Sequence, residues 1–225
     1  MTTKGGQAKI TRAYDRVARW YDIYNAPMEL LGLGLKRQHL LSRARGLVLE
    51  VGIGTGRNLE HYGSDVRIVG IDVSESMLAR ARTRTDRLDR DIRLERADVQ
   101  QLPFADRSFD TVVATCVFCS VFDPVRGLAE LGRVCKPDGR ILLLEHVRPL
   151  NRVFGKLADL VSTFTRRIFG FNLNRRTEEN ARTAVLELIE VHGHGIWREI
   201  VAAGPWAVNQ TSSESKSPVS TSVQE

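Results

Sequence analysis

Ten residues constrain this chain more than any others: Leu47-Val-Leu-Glu50-Val-Gly52-Ile-Gly54-Thr-Gly56. An apolar strand runs into an acid and then into a glycine turn that opens a helix. A second apolar strand, Val66 to Ile71, ends on Asp72, and a third, Ile92 to Glu95, is followed by Asp98. Glycines at a strand-to-helix turn let backbone approach a ligand closely, and an acid at the end of the next strand can grip a ribose. The pattern predicts an α/β chain with a doubly wound, mainly parallel sheet. A glycine loop with three spaced acids suits a ligand that has an amino-acid end, a ribose and an adenine.

Four stretches in order narrow the reading: Glu50 to Gly56, Gly70 to Met77, Ala97 to Asp110, and Val134 to His146. Together they resemble the motifs of class I S-adenosylmethionine-dependent methyltransferases, over roughly residues 10 to 205. The resemblance implies a Rossmann-like sheet of seven strands with N-terminal helices, an amphipathic helical cap, and S-adenosyl-L-methionine as cofactor. It also implies roles. Gly52, Gly54 and Gly56 approach the methionine end, and Asp72 accepts from the ribose hydroxyls. Asp98 accepts from the adenine amino group, with the Val99 backbone beside it. Glu50 either orients the glycine loop or binds the cofactor's ammonium. Met77 packs on adenine or is plain core. Thr115, at the end of the fourth strand, and Tyr21 count with the cofactor-binding residues.

Composition bounds the rest. The chain has 225 residues, 42% hydrophobic and 27% charged, which suits one domain with a sizeable core. No apolar run approaches the roughly 20 residues that span a bilayer. The start lacks a secretory apolar segment, so a cytoplasmic protein, peripheral at the inner membrane face, is expected. Of three cysteines, Cys116 and Cys119 form a C-x-x-C inside an apolar run without further ligands, and read as buried thiols rather than a zinc site. The net charge is +6, and the tail from Asn209 carries −1 of it. That excess suits an anionic partner.

Along the chain, residues 1–8 read as a flexible leader, 9–208 as the catalytic domain and 209–225 as a disordered tail. Helices are expected at Ile10 to Tyr24 and Met28 to Arg43, the second weakened by Gly32 and Gly34. Strands are expected near 47–51, 67–71, 92–96, 110–115 and 140–145. Ser74 and Asp123-Pro124 read as helix starts, and Lys136 to Gly139 as a helix stop and turn. A helix at 176–184 precedes two last strands, 185–191 and 196–202, the final one antiparallel. Before that helix, 150–176 carries Phe154, Leu157, Val161, Phe164 and Ile168 at helical spacing, with Arg152, Lys156, Arg166 and Arg167 around them. That describes an interfacial amphipathic helix or an ordinary basic cap.

The acceptor is the finer question. Tyr14 to Asp22, Leu102 to Asp110, Glu145 to Pro149 and Gly170 to Thr177 resemble the ubiquinone/menaquinone and phosphatidylethanolamine N-methyltransferase group. The resemblance implies a lipid or lipid-like acceptor, first of all the phosphatidylethanolamine headgroup, and an anionic membrane surface met through 10–24 and 150–176. Carbon methylation of a quinone precursor, thiol methylation and a cofactor-binding scaffold stay open. No nucleic acid is expected, because the Asn/Asp-Pro-Pro-aromatic loop is absent, and a monomer is expected. Two residues are candidates for the chemistry. His146, at the end of the fifth strand, either takes a proton from the acceptor amine or merely borders the pocket. Tyr14, with Tyr21, either faces a methylated ammonium through its ring or packs a helix core.

Overall fold

The structure, a computed structural model, describes residues 3–88, 90–147 and 176–206. The amphipathic segment expected at 150–176 lies outside them except for Arg176, and so does the tail.

Seven strands form one sheet: β1 (Leu47–Val51), β2 (Arg67–Asp72), β3 (Ile92–Arg96), β4 (Phe109–Thr115), β5 (Cys135–His146), β6 (Glu187–His194) and β7 (Trp197–Ala203). Their spatial order is β3-β2-β1-β4-β5-β7-β6. The first five pair in parallel, and β7 enters antiparallel between β5 and β6. All seven expected strands are present. The fifth starts earlier than expected: Phe109 pairs Cys135 and Thr111 pairs Arg140, so Lys136 to Gly139, directly after a helix that ends at Val134, bulge out within β5.

The near-continuous apolar runs of β1, β4 and β5 suit a parallel sheet covered on both faces. Strand alternation sorts them cleanly. Leu49, Val51, Val112, Ala114, Ile141 and Leu143 join the core of one face. Val48, Val113, Leu142 and Leu144 join the other. Helix α4 (Glu75–Thr85) starts at Ser74, whose side chain accepts from the Met77 N–H at 3.2 Å. Helix α5 (Pro124–Val134) is capped by Asp123, which accepts from the Arg126 N–H at 3.0 Å, with Pro124 in the first turn. Helix α6 (Thr177–Thr183) leads into β6.

The N-terminal region differs from expectation. Helix α1 (Thr3–Val17) begins inside the stretch read as a flexible leader. Gly6 is buried there, and a side chain at that position would run into the Phe122 ring. Helix α1 ends before the expected Tyr24, and α2 (Tyr21–Met28) restarts after a turn. A wide π turn over Glu29–Leu33 then holds Gly32 at φ +105°, and α3 (Gly34–Leu41) follows. An L side chain rarely adopts that φ, so Gly32 is where the expected long helix breaks. The glycine turn after β1 also opens a short 3₁₀ turn, Arg57–His61, rather than a long helix.

Candidate active site

Strand order reverses between β1 and β4, and in open α/β sheets the crevice outside the strands' carboxyl ends at such a point takes the ligand. A cleft enclosing about 630 Å³, open solvent at its mouth included, lies there. Gly52 and Gly54 form one wall, Asp72 and Met77 the next, and Val99 and Thr115 follow. Tyr14 from α1 and Tyr21 from α2 close it over.

The glycine turn follows from local sterics. Gly52, Gly54 and Gly56 stand at φ +62°, +57° and +81°, in the left-handed region. A Cβ on Gly52 would come within 2.6 Å of Val117 Cγ2, whereas one on Gly54 would meet nothing nearer than 3.9 Å. The turn is therefore packed at Gly52 and open towards the cleft at Gly54. Asp72 ties it down. One carboxylate oxygen accepts from the Gly54 N–H and the other from the Ser74 N–H, both at 2.9 Å. Burial pushes its pKa up to about 6, against the pull of these N–H groups.

Glu50 stands behind the turn rather than in the cleft. It is 2% exposed and accepts from Asn58 Nδ2 at 2.8 Å and the Tyr62 hydroxyl at 2.9 Å. Burial raises its pKa to about 7. Of its two readings, this geometry matches the one in which it orients the loop. Asp98 lies beside the cleft, its carboxylate taken up by the Gln100 N–H and side-chain amide at 2.9–3.1 Å. Gln100 also donates to Gln7 Oε1 on α1 at 3.0 Å, so the N-terminal helix is latched to the loop bearing Asp98. Ser74 donates to Asp15 of the same helix.

The rings of Tyr14 and Tyr21 lie 6.2 Å apart, inclined at 54°. Burial raises both phenols well above their ordinary value, so both stay neutral. His146 does not line the cleft. It meets Trp197 edge-on at 6.2 Å between ring centres, and burial lowers its pKa to about 4. Position and basicity both count against it as acceptor of an amine proton. The thiols are buried or half-buried, and burial raises Cys116 to about 12.

Sequence reasoning missed Gln7, Ile10 and Val121 in the cleft, and Arg37 behind it. Gln7 fell in the supposed leader. Arg37, in Leu35-Lys36-Arg37, carries no local signal that separates it from a surface cation.

A strand-order switch, a left-handed glycine turn and an acid hydrogen-bonded across it define a class I methyltransferase site, and the residues present fit its cofactor. Comparisons with known proteins agree. Residues 49–143 match the family profile described as a methyltransferase domain. A phosphatidylethanolamine N-methyltransferase of Cereibacter sphaeroides is 36% identical over 61% of this chain and 68% of its own. A demethylmenaquinone methyltransferase of Deinococcus radiodurans is 35% identical over 67% of this chain and 65% of its own. The chain thus spans about two thirds of the length of these curated relatives. Among solved structures, a chain from the complex of the Haloferax volcanii Trm112 methyltransferase activator with a putative methyltransferase shares the fold. Its TM-score is 0.66 at 22% identity, covering 85% of this chain and 97% of that one.

The chain belongs to the class I S-adenosylmethionine-dependent methyltransferases, in the group of the ubiquinone/menaquinone and phosphatidylethanolamine enzymes. S-adenosylmethionine is its cofactor, and methyl transfer is its reaction.

Proposed function

We propose that the enzyme methylates the amine of a phosphatidylethanolamine-type headgroup at a membrane surface. The observation that carries this reading is the pair of neutral tyrosine rings, Tyr14 and Tyr21, closing a cleft that is also walled by the glycine turn. Each transfer to an amine leaves a more substituted ammonium, and aromatic faces hold such cations without needing a countercharge. The bound cofactor supplies an activated methyl on a sulfonium, and the protein contributes alignment and exclusion of water. In this reading Gly52 and Gly54 hold the methionine end, and Asp72 turns from its own backbone to the ribose hydroxyls. Met77 and Val99 flank the adenine, and Asp98 accepts from its amino group in place of Gln100. Thr115 borders the transferred carbon's side. Asp72, the one carboxylate lining the cleft among the described residues, is then occupied, so the amine's proton leaves through the open mouth.

The membrane contact is proposed from α2 and the turn after it. Leu30, Leu31 and Leu35 are 88%, 87% and 73% exposed, with Trp20 and Ile23 near them in the chain and Arg19 against the Trp20 ring. Exposed apolar clusters beside cations suit a lipid interface. Among the described residues, no helix is long and apolar enough to cross a membrane.

The curated quinone-pathway relatives support a second reading, transfer to a ring carbon of a quinone precursor. A labelled-methyl assay separates the two. Label in mono-, di- and trimethylated ethanolamine lipids is expected; label confined to the quinone-precursor fraction reassigns the acceptor.

A further inference from the structure

Helix α2 carries Tyr21 over the cleft, yet little apolar packing holds it there. None of its described residues is wholly shut off from solvent, and Trp20 before it and Ile23 and Met28 within it are exposed. Its eight residues, with Pro27 among them, are too few to make a stable helix alone. The attachment is polar and falls on one residue. Asp22 Oδ1 accepts from the Thr55 hydroxyl at 2.7 Å and from Arg57 Nε at 2.9 Å, and Oδ2 accepts from Arg84 Nη2 at 2.7 Å. The Asp22 carbonyl accepts from Arg57 Nη2 at 2.6 Å. Among the described residues, no other residue of α2 hydrogen-bonds to the sheet, the glycine turn or α4.

The partners of Asp22 matter as much as its bonds. Thr55 is the buried residue between Gly54 and Gly56, Arg57 follows the same turn, and Arg84 lies in the last turn of α4. One carboxylate thus joins the cover of the cleft to the glycine turn below it. Burial pushes the Asp22 pKa up, but Thr55, Arg57 and Arg84 outweigh it and hold the group below the ordinary carboxylate value.

An element with few buried apolar contacts opens at a small fraction of the cost of global unfolding. For α2 that cost is set mainly by the cluster on Asp22. Partly exposed ion pairs are individually weak, so the helix rests closed and still opens readily. We infer that Asp22 is a positioning residue that pins Tyr21 across the cleft, and that breaking this pin is the step through which cofactor and spent cofactor exchange. The inference rests on the proposed seating of the cofactor beneath Tyr21 and is indifferent to the acceptor.

A pin of this kind has a kinetic signature. Asp22, Thr55, Arg57 and Arg84 do not line the cleft, so losing the pin favours opening equally with the cleft full or empty. Association and dissociation then quicken together and Kd stays put. A residue that supports contacts to the ligand changes mainly the dissociation rate.

Surface plasmon resonance of the full chain with S-adenosylhomocysteine gives both rate constants. Asp22→Asn should raise each about tenfold, with Kd changed less than about threefold. Arg84→Gln removes one donor on α4 and should raise both about threefold, which keeps the test decisive should Asp22→Asn not fold. A rise in the dissociation rate alone, or in neither rate, would overturn the assignment. Tyr21→Ala distinguishes a pinned cover from a loosened fold: with the ring gone, Asp22→Asn should add less than about twofold to either rate. An undiminished effect in that background also overturns it. Asp72→Ala tests the seating separately, because undiminished affinity there would remove the ground on which the inference rests.

Discussion

The carboxylate of Asp72 accepts the Gly54 N–H at 2.9 Å, so the acid that ends β2 and the glycine turn that follows β1 form one unit. Asp72→Ala therefore frees the turn as well as removing the proposed ribose acceptor. S-adenosylmethionine affinity should fall about 100-fold, the worth of two charge-assisted hydrogen bonds. Titration calorimetry gives the number, and near wild-type affinity would sink the ribose assignment. The same residue sets a pH dependence. Hydroxyls donate more strongly to the carboxylate than to the neutral acid, and the free-state pKa is raised to about 6. Affinity should thus decline below about pH 6, approaching tenfold per pH unit, and Asp72→Asn should flatten that limb.

Two neighbouring glycines should fail in different ways. Gly52→Ala places a methyl 2.6 Å from Val117 Cγ2 at φ +62°, and should destabilise the fold by about 1–2 kcal/mol. Gly54→Ala, at φ +57° with open space beside it, puts its methyl into the cleft and should weaken cofactor binding more than it lowers Tm. Thermal melts with and without S-adenosylhomocysteine separate the two; identical profiles for both variants would contradict the packing described.

Glu50 predicts how stability varies with pH. Its pKa rises from 4.5 to about 7 on folding, so between those values the native state binds more protons than the unfolded chain. Stability from this group is then lost as pH rises through that window, by about 2–3 kcal/mol in all. Glu50→Gln keeps an acceptor for Asn58 or Tyr62 and removes the slope. Urea midpoints at pH 5, 6, 7 and 8 on both proteins check it, and parallel curves would refute the assignment.

The exposed leucines offer a test of the membrane reading independent of chemistry. Leu30, Leu31 and Leu35 changed together to Ser should reduce co-sedimentation with phosphatidylethanolamine/phosphatidylglycerol vesicles at least about tenfold, since burying one such side chain contributes about 1.5–3 kcal/mol. Cofactor affinity should not change. Unaltered sedimentation would reject the turn after α2, with the start of α3, as the lipid contact.

Local chemistry made much of this legible in advance. The sheet could be read because its strands are apolar runs punctuated by glycine and acids, and Ser74 and Asp123 announced their helices by capping. The glycine turn, Asp72, Met77, Val99 and Thr115 were all expected at the site, and all reach the cleft or bound it. What failed was the N-terminal region. Its glycines and polar residues carry weak local preference, and α1 is placed by contacts from distant parts of the chain: Gln7 to Gln100, Asp15 to Ser74, Gly6 against Phe122.

His146 shows the same boundary from the other side. Its position at the end of β5 made it a candidate base, but side-chain direction and burial, which only the folded neighbours set, turn it to Trp197 and lower its pKa. Arg37 is the converse: unremarked in its own helix, it is buried behind the cleft because α3 brings it to Asn58 and Thr115. The amino-acid sequence by itself determined the doubly wound sheet and the glycine turn, since these depend on backbone sterics and strand periodicity within short windows, and the resemblance of its motifs implied the cofactor class. Tertiary structure alone decided which charged groups face the cleft, which stand behind it, and what lies over it, because burial and pairing are set by residues far apart in the chain.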